Sequence, residues 1–378
     1  MVLKGITWDH PRGYEPLLAA AVAYEKKSGI RIEWQKRSLA HFGDQSIAEL
    51  SRHFDLLIVD HPHVGIMAQM ESVSPISDFI SKPEIAALQI ASGEPSFSSY
   101  SYQQKQWALP IDAAYQAAAY RPDLLSSIPV PQDWEQVFYL AEILKKKGLK
   151  IGMALCPTDC LCSFLSLTAQ LGSPIREENN RLVDPAIGIM ALEFLRKLRD
   201  VVHDQSLDRN PIQLYDSMSE HEDIAYSPLG FCYTNYSRIG FRKNLLSFTN
   251  PPGIKNAVLG GAGISVSSSS AHPKEAAGFA YWVCSGEIQC DLFIMAQGQP
   301  AHQQAWHDEQ ANRITKNFFR QCLAGLESAY VRPRYAGWPA FQQKMGEIIH
   351  GFLSNDLEPR FILKMLDNHY KESFSGGL

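Results

Sequence analysis

The run from Phe54 to Val59, FDLLIV, is almost continuously apolar. A strand of that composition has no polar face to give to water, so it belongs inside a parallel sheet covered by helices on both sides. The preceding segments supply such a sheet. Val2 to Trp8 reads as a strand that ends in WDHPRGY, where Pro11 and Gly13 break it. Tyr14 to Lys27 then places Leu17, Leu18, Ala21 and Val22 at helical spacing, with Lys26 and Lys27 in the last turn and Gly29 as the residue that ends it. Ile30, Ile32 and Trp34 alternate as the next strand, which completes a βαβ unit with a right-handed crossover.

At 378 residues the chain is long for a single core and suited to two domains of ordinary size. No window approaches the roughly 18 apolar residues of a membrane span, so the chain is expected not to cross a membrane. A net charge of −5 leaves no basic excess for phosphate neutralisation, so nucleic acid is not an expected partner.

The middle and end of the chain continue the alternation. In PQDWEQVFYLAEILKKKG, residues 131 to 148, Asp133 and Gln136 form a capping box, an apolar stripe follows, and three lysines and Gly148 close the helix. Lys150 to Leu155 reads as a strand, and Asp184-Pro185 as a helix start. The stretch Val258 to Ala301 opens with glycines, passes through a short β-branched strand at Ile264 and Val266, and enters a helix at Pro273. Gly260, Gly261 and Gly263 allow close backbone approach there, but no Lys-Ser/Thr follows as a phosphate loop would need.

The order of these segments resembles that of the extracellular solute-binding proteins of bacterial ABC importers, above all their sugar-binding branch. The resemblance rests on Ser28-Gly29-Ile30, on WALP at 107 to 110 followed by Tyr120-Arg121-Pro122-Asp123, and on the Pro-x-Asp-Trp-Glu helix start at 131 to 135. It extends to DIAYSPLGFCYTNY at 223 to 236, FTNPPG at 248 to 253 and RPRYAGW at 332 to 338. It implies a two-lobed α/β periplasmic-binding-protein-like fold of type II, the Venus-flytrap architecture, with a ligand cleft between the lobes. Lobe one is expected to comprise residues 1–110 plus 256–300, and lobe two residues 111–255 plus 301–378 with the C-terminal helices. The implied function is to close both lobes on a small polar ligand, a sugar, polyol or small carboxylate, for ABC-type import. The resemblance implies a monomer without a cofactor, and an ABC permease as partner if the chain is exported.

Candidate site residues follow partly from the residues and partly from that resemblance. The tetrads DHPR at Asp9 to Arg12 and DHPH at Asp60 to His63 each follow a strand, and ligands of open α/β sheets bind outside the carboxyl ends of strands. Asp9, His10, Arg12, Asp60 and His61 could thus form a hydrogen-bonding wall, with Arg12 able to clamp an anionic group. The same Asp-His-Pro sequences also suit helix capping. His10, His61 and His63 raise a metal alternative, although their spacing matches no standard signature. By resemblance, Asp112, Thr158 and Asp159 face ligand, and Tyr226, Phe231, Tyr233, Tyr335 and Trp338 lie in the loops that carry stacking rings; Gly261 joins them because its glycine allows close backbone approach near the hinge or cleft.

Seven cysteines, an odd number, cannot all pair within one chain, and MVLKGITW contains no apolar leader segment. As it stands the sequence reads as cytoplasmic; with a leader removed it would be periplasmic or cell-surface. Bacterial thiaminases resemble this fold and use a cleft cysteine as nucleophile. Cys160 beside Asp159 therefore frames the alternative, a cytoplasmic binding-protein-like enzyme or sensor.

Overall fold

The computed structural model describes residues 1–253 and 255–375. Residue 254 and residues 376–378, within the expected second lobe, lie outside the described residues. β1 (Val2–Trp8), α1 (Pro11–Ser28) and β2 (Arg31–Arg37) form the expected βαβ unit, β1 and β2 pairing in parallel from Val2 opposite Arg31 to Trp8 opposite Arg37. α1 begins three residues before the expected start at Tyr14 because His10 caps it. The His10 Nδ1 accepts from the Arg12 N–H at 3.1 Å, and Pro11 occupies the first helical position, where no N–H is needed. β3 (Leu56–Val59) is buried along its length, parallel to β1 on one side and antiparallel to the strand Leu259–Ser267 on the other.

Among the described residues, nine strands form one continuous sheet. Its path runs from β2 through β1 and β3 to the return strand Leu259–Ser267, then to the crossing strand Leu109–Tyr120, Ile224–Phe231 and Lys150–Ile151. The crossing strand is shared. Its residues 109 to 115 pair with the return strand, and its residues 116 to 120 pair with Ile224–Phe231.

On the first side, Leu3, Leu17, Ile58, Ile264 and Phe279 build one core; on the second, Leu140, Phe164, Leu192, Met345 and Leu366 build another. A third cluster joins Tyr115 of the crossing strand to Phe248, Trp306 and Phe318.

The expected strand at 150 to 155 is hydrogen-bonded as a strand only over Lys150–Ile151. Beyond it the chain stays buried, but Leu155 turns its N–H to the Ser206 carbonyl at 2.9 Å instead of to a neighbouring strand. The helix after it, Pro157–Gln170, is buried over most of its length and packs against Trp338–Ser354 near the C-terminus. At Gly346 of that partner a Cβ would come within 2.6 Å of the Pro157 carbonyl oxygen, which explains how closely the two helices approach.

Gly261 lies on the return strand at φ +110°, and a Cβ there would stand 2.3 Å from the Asp112 carbonyl oxygen. Both the dihedral and the contact exclude a side chain. Gly261→Ala is expected to lower unfolding free energy by about 2–3 kcal/mol in denaturant titration, whereas Gly29→Ala, at φ +73° with open space around it, is expected to cost about 1 kcal/mol.

Candidate functional site

The carboxyl ends of β1 and β3 and the middle of the crossing strand open onto a cleft of about 610 Å³. One wall carries Trp8, Arg12, Phe42, Asp60 and His63; the other carries Thr158 and Asp159 at the start of Pro157–Gln170, Asn210, Phe231 and Tyr233. Asp112 and Gly260 to Ala262 form its floor, and Arg332, Gln342, Gln343 and Glu347 close the remaining side.

Two ion pairs organise these walls. Arg12 donates through Nε to Asp112 Oδ2 at 2.7 Å and through its second terminal nitrogen to Asp112 Oδ1, while its first terminal nitrogen donates to the Cys232 carbonyl at 2.7 Å. Both side chains are about 4% exposed, and the guanidinium stacks 4.4 Å from the centroid of the Tyr233 ring. Burial opposes both charges and raises the Asp112 pKa, but Asp112 and its hydrogen bonds raise the Arg12 pKa above its ordinary value and the guanidinium in turn favours the carboxylate. The second pair joins Asp60 Oδ2 to Arg332 at 2.7 Å, and Arg332 also donates to Gln342 Oε1 at 3.0 Å. Burial opposes the Asp60 charge, yet the Arg332 guanidinium holds its pKa well below the ordinary carboxylate range.

Asp159 differs from both. It is 5% exposed, accepts from the Cys156 thiol at 3.0 Å, and has no Lys or Arg within ion-pair distance among the described residues. Burial pushes its pKa up to about 7, against the weaker opposing effects of the thiol and of the Arg332 charge.

Of the residues singled out in the sequence, Arg12, Asp60, Asp112, Thr158, Asp159, Phe231, Gly261 and His63 come together on this cleft. Arg12 is not available to clamp an anionic ligand, because Asp112 and Cys232 take its donors. The DHPH loop combines its two readings: Asp60 Oδ1 caps the turn His61–His63 by accepting from the His61 N–H at 2.9 Å, and Oδ2 takes Arg332.

Others lie elsewhere. Asp9 is exposed and paired with Lys36 at 2.8 Å. His10 sits behind the wall in an edge-on contact with Tyr233, ring centroids 4.9 Å apart, and burial lowers its pKa to about 3. His61 is wholly buried; its Nδ1 is 3.1 Å from Asp60 Oδ1, but burial and Arg332 lower its pKa to about 4, so it is neutral at pH 7. Tyr226 is fully buried in the second core. Tyr335 stacks on Phe374 at 4.3 Å, and Trp338 is 0% exposed with its Nε1 on Gln342 at 3.2 Å. These three rings fill the core instead of facing the cleft.

The histidines do not converge with other ligands, and no group of three metal-ligating side chains occurs among the described residues. The Cys160 thiol is wholly buried, contacts the Pro157 carbonyl at 3.2 Å and has its pKa pushed far up by burial, so it offers no cleft thiolate. All seven cysteines are free thiols.

Residues that the sequence did not single out as a site include Trp8, Phe42, Asn210, Gln342 and Arg332. Arg332 lies in the noted RPRYAGW segment, but only folding reveals its partner 272 residues away. For Trp8, its position as the last residue of a strand was the available signal.

Residues 19–312 match the family of bacterial extracellular solute-binding proteins. That match spans most of the chain. The protein belongs to this family.

Solved structures agree in fold. A maltose-bound MalE3 of T. maritima is 17% identical with a TM-score of 0.82, covering 98% of this chain and 99% of that one. An ABC-transporter solute-binding protein of Agrobacterium radiobacter in complex with ribitol is 17% identical with a TM-score of 0.84, covering 98% of each chain. The maltotriose-binding protein of Thermus thermophilus is 20% identical with a TM-score of 0.75, covering 99% of this chain and all of that one. A search of curated protein sequences gives no match. The fold is thus that of a two-lobed solute-binding protein, and none of its helices is long and apolar enough to cross a membrane among the described residues.

The buried carboxylates on the cleft of this solute-binding protein lead to two predictions. Arg332→Gln strands the Asp60 charge and should cost about 3 kcal/mol at neutral pH. Because the folded Asp60 pKa is depressed, the pair's contribution is present above about pH 4 and fades as pH falls; denaturant melts of variant and wild type should therefore converge in acid. Asp159 has the opposite sign: with a folded pKa of about 7 it destabilises the protein increasingly as pH rises from about 4 to 7. Asp159→Asn should gain about 2–4 kcal/mol on the wild type over that range, measured by the same melts.

Proposed function

We propose that this chain binds a hydroxyl-rich solute without a net negative charge, a sugar or polyol, and holds it between lobes formed by residues 1–110 plus 256–300 and 111–255 plus 301–378. The deciding observation is that both guanidiniums on the cleft, Arg12 and Arg332, are already engaged by Asp112 and Asp60. A carboxylate ligand would meet guanidinium charges that are already neutralised, and displacing either buried partner would be costly. Hydroxyl groups, by contrast, meet acceptors at Asp60, Asp159 and Glu347 and amides at Asn210, Gln342 and Gln343. The rings of Trp8, Phe42 and Phe231 line the cleft and offer apolar surface to a sugar ring. The reading is supported by the ligands named for the solved structures of similar fold, maltose, ribitol and maltotriose.

The action is binding, not chemistry: ligand stabilises the closed arrangement through contacts from both lobes. As a family member the chain would act outside the cytoplasmic membrane and deliver its ligand to an ABC permease. The buried Cys160 thiol speaks against the thiol-enzyme alternative.

A thermal-shift screen of neutral sugars, polyols and small dicarboxylates tests this. A ligand at a hundred times its Kd adds about 2.7 kcal/mol. The expected result is a shift with a neutral sugar or polyol that is recovered chemically unchanged. A shift confined to dicarboxylates, or consumption of the compound, would overturn the reading.

A further inference from the structure

The carboxylates on the cleft outnumber the cations that neutralise them. Asp112 has Arg12 and Asp60 has Arg332, while Glu347 lies at the rim with Lys344 at 3.4 Å. Asp159 alone combines burial, a place on the cleft wall and the lack of a cationic partner. Its single side-chain hydrogen bond comes from a thiol, a weak donor. An ionised carboxylate in such a place is poorly compensated unless something entering the cleft supplies the charge.

The neighbouring features suit a cation more than a second anion. The Tyr233 ring lines the same cleft, and the side chains whose charges reach Asp159 include one cation, Arg332, which Asp60 and Gln342 already hold. On the opposite wall His63 is 5% exposed, and its Nδ1 has no hydrogen-bond partner among the described residues. Burial lowers the His63 pKa, so this imidazole adds no positive charge to the cleft.

We propose that Asp159 recognises an amino group, so that the ligand is a sugar or polyol bearing a protonated amine, an amino sugar or amino polyol. The inference rests on the sugar-binding reading above and sharpens it. In the closed protein the ammonium would donate to Asp159 and the ligand hydroxyls would meet the remaining acceptors, giving a desolvated, charge-assisted contact. Asp159 then sets specificity: it favours the amine over a hydroxyl of the same size, because a neutral ligand leaves the buried carboxylate without its counter-charge.

Isothermal titration calorimetry on triplets of probes separates this from its alternatives. Each triplet holds an amino sugar such as glucosamine or galactosamine, its N-acetyl derivative and the parent sugar, with amino polyols and plain polyols added as pairs, all near neutral pH. The expected result is that one amine binds at least about tenfold more tightly than its uncharged counterparts, and that Asp159→Asn reduces this preference to within about threefold. Equal or tighter binding of the parent sugar to the wild type would overturn the inference and leave the sugar reading intact. Binding of no probe would overturn both. The wild-type comparison stands by itself, so a misfolded Asp159→Asn protein would not rescue the proposal.

Discussion

The crossing strand Leu109–Tyr120 carries the whole arrangement, because a buried backbone must have every N–H and C=O paired. It meets that demand by dividing its ladder, pairing first with the return strand and then with Ile224–Phe231. A single strand thus stitches the two cores into one sheet and leaves a cleft where the partner changes. Asp112 lies three residues before that change, opposite Ala262 at the register shift between Ala262 and Gly263. Its position brings α1 to the cleft floor, since Arg12 must reach it.

Charge burial fixes the walls in the same way. Each guanidinium taken out of water needs a carboxylate with good geometry, or the desolvation cost is not offset. Arg12 with Asp112 joins segments a hundred residues apart, and Arg332 with Asp60 joins the C-terminal segment to the end of β3. The cleft that results is rich in acceptors and poor in free cations. Asp159 is the exception to this pairing, which makes it the most informative side chain in the site.

The cysteines and aromatic rings were the least readable features in sequence. Five of the seven thiols are buried and pack as small apolar groups, Cys160 and Cys162 among them. An aromatic residue has the same composition in a core as on a cleft. Tyr226 and Tyr233 are seven positions apart in one segment, yet Tyr226 is enclosed by the second core while Tyr233 reaches the cleft beneath Arg12. Ile224–Phe231 is buried on both faces, so alternation could not separate its inward from its outward side.

What the sequence determined by itself is what depends on neighbours in the chain. FDLLIV specifies a buried strand, His10-Pro11 and Asp133 specify helix starts, Gly29 a helix end, and the order of these signals the two-lobed class. The carboxyl-end rule points to Arg12, Asp60 and His63, which line the cleft, and equally to Asp9, His10 and His61, which do not. Only the tertiary structure decided which charges neutralise one another, which rings become core, and that Arg12 is occupied while Asp159 is not. Those outcomes depend on side chains brought together across 100 to 272 residues of chain, and no local pattern encodes a distance of that kind.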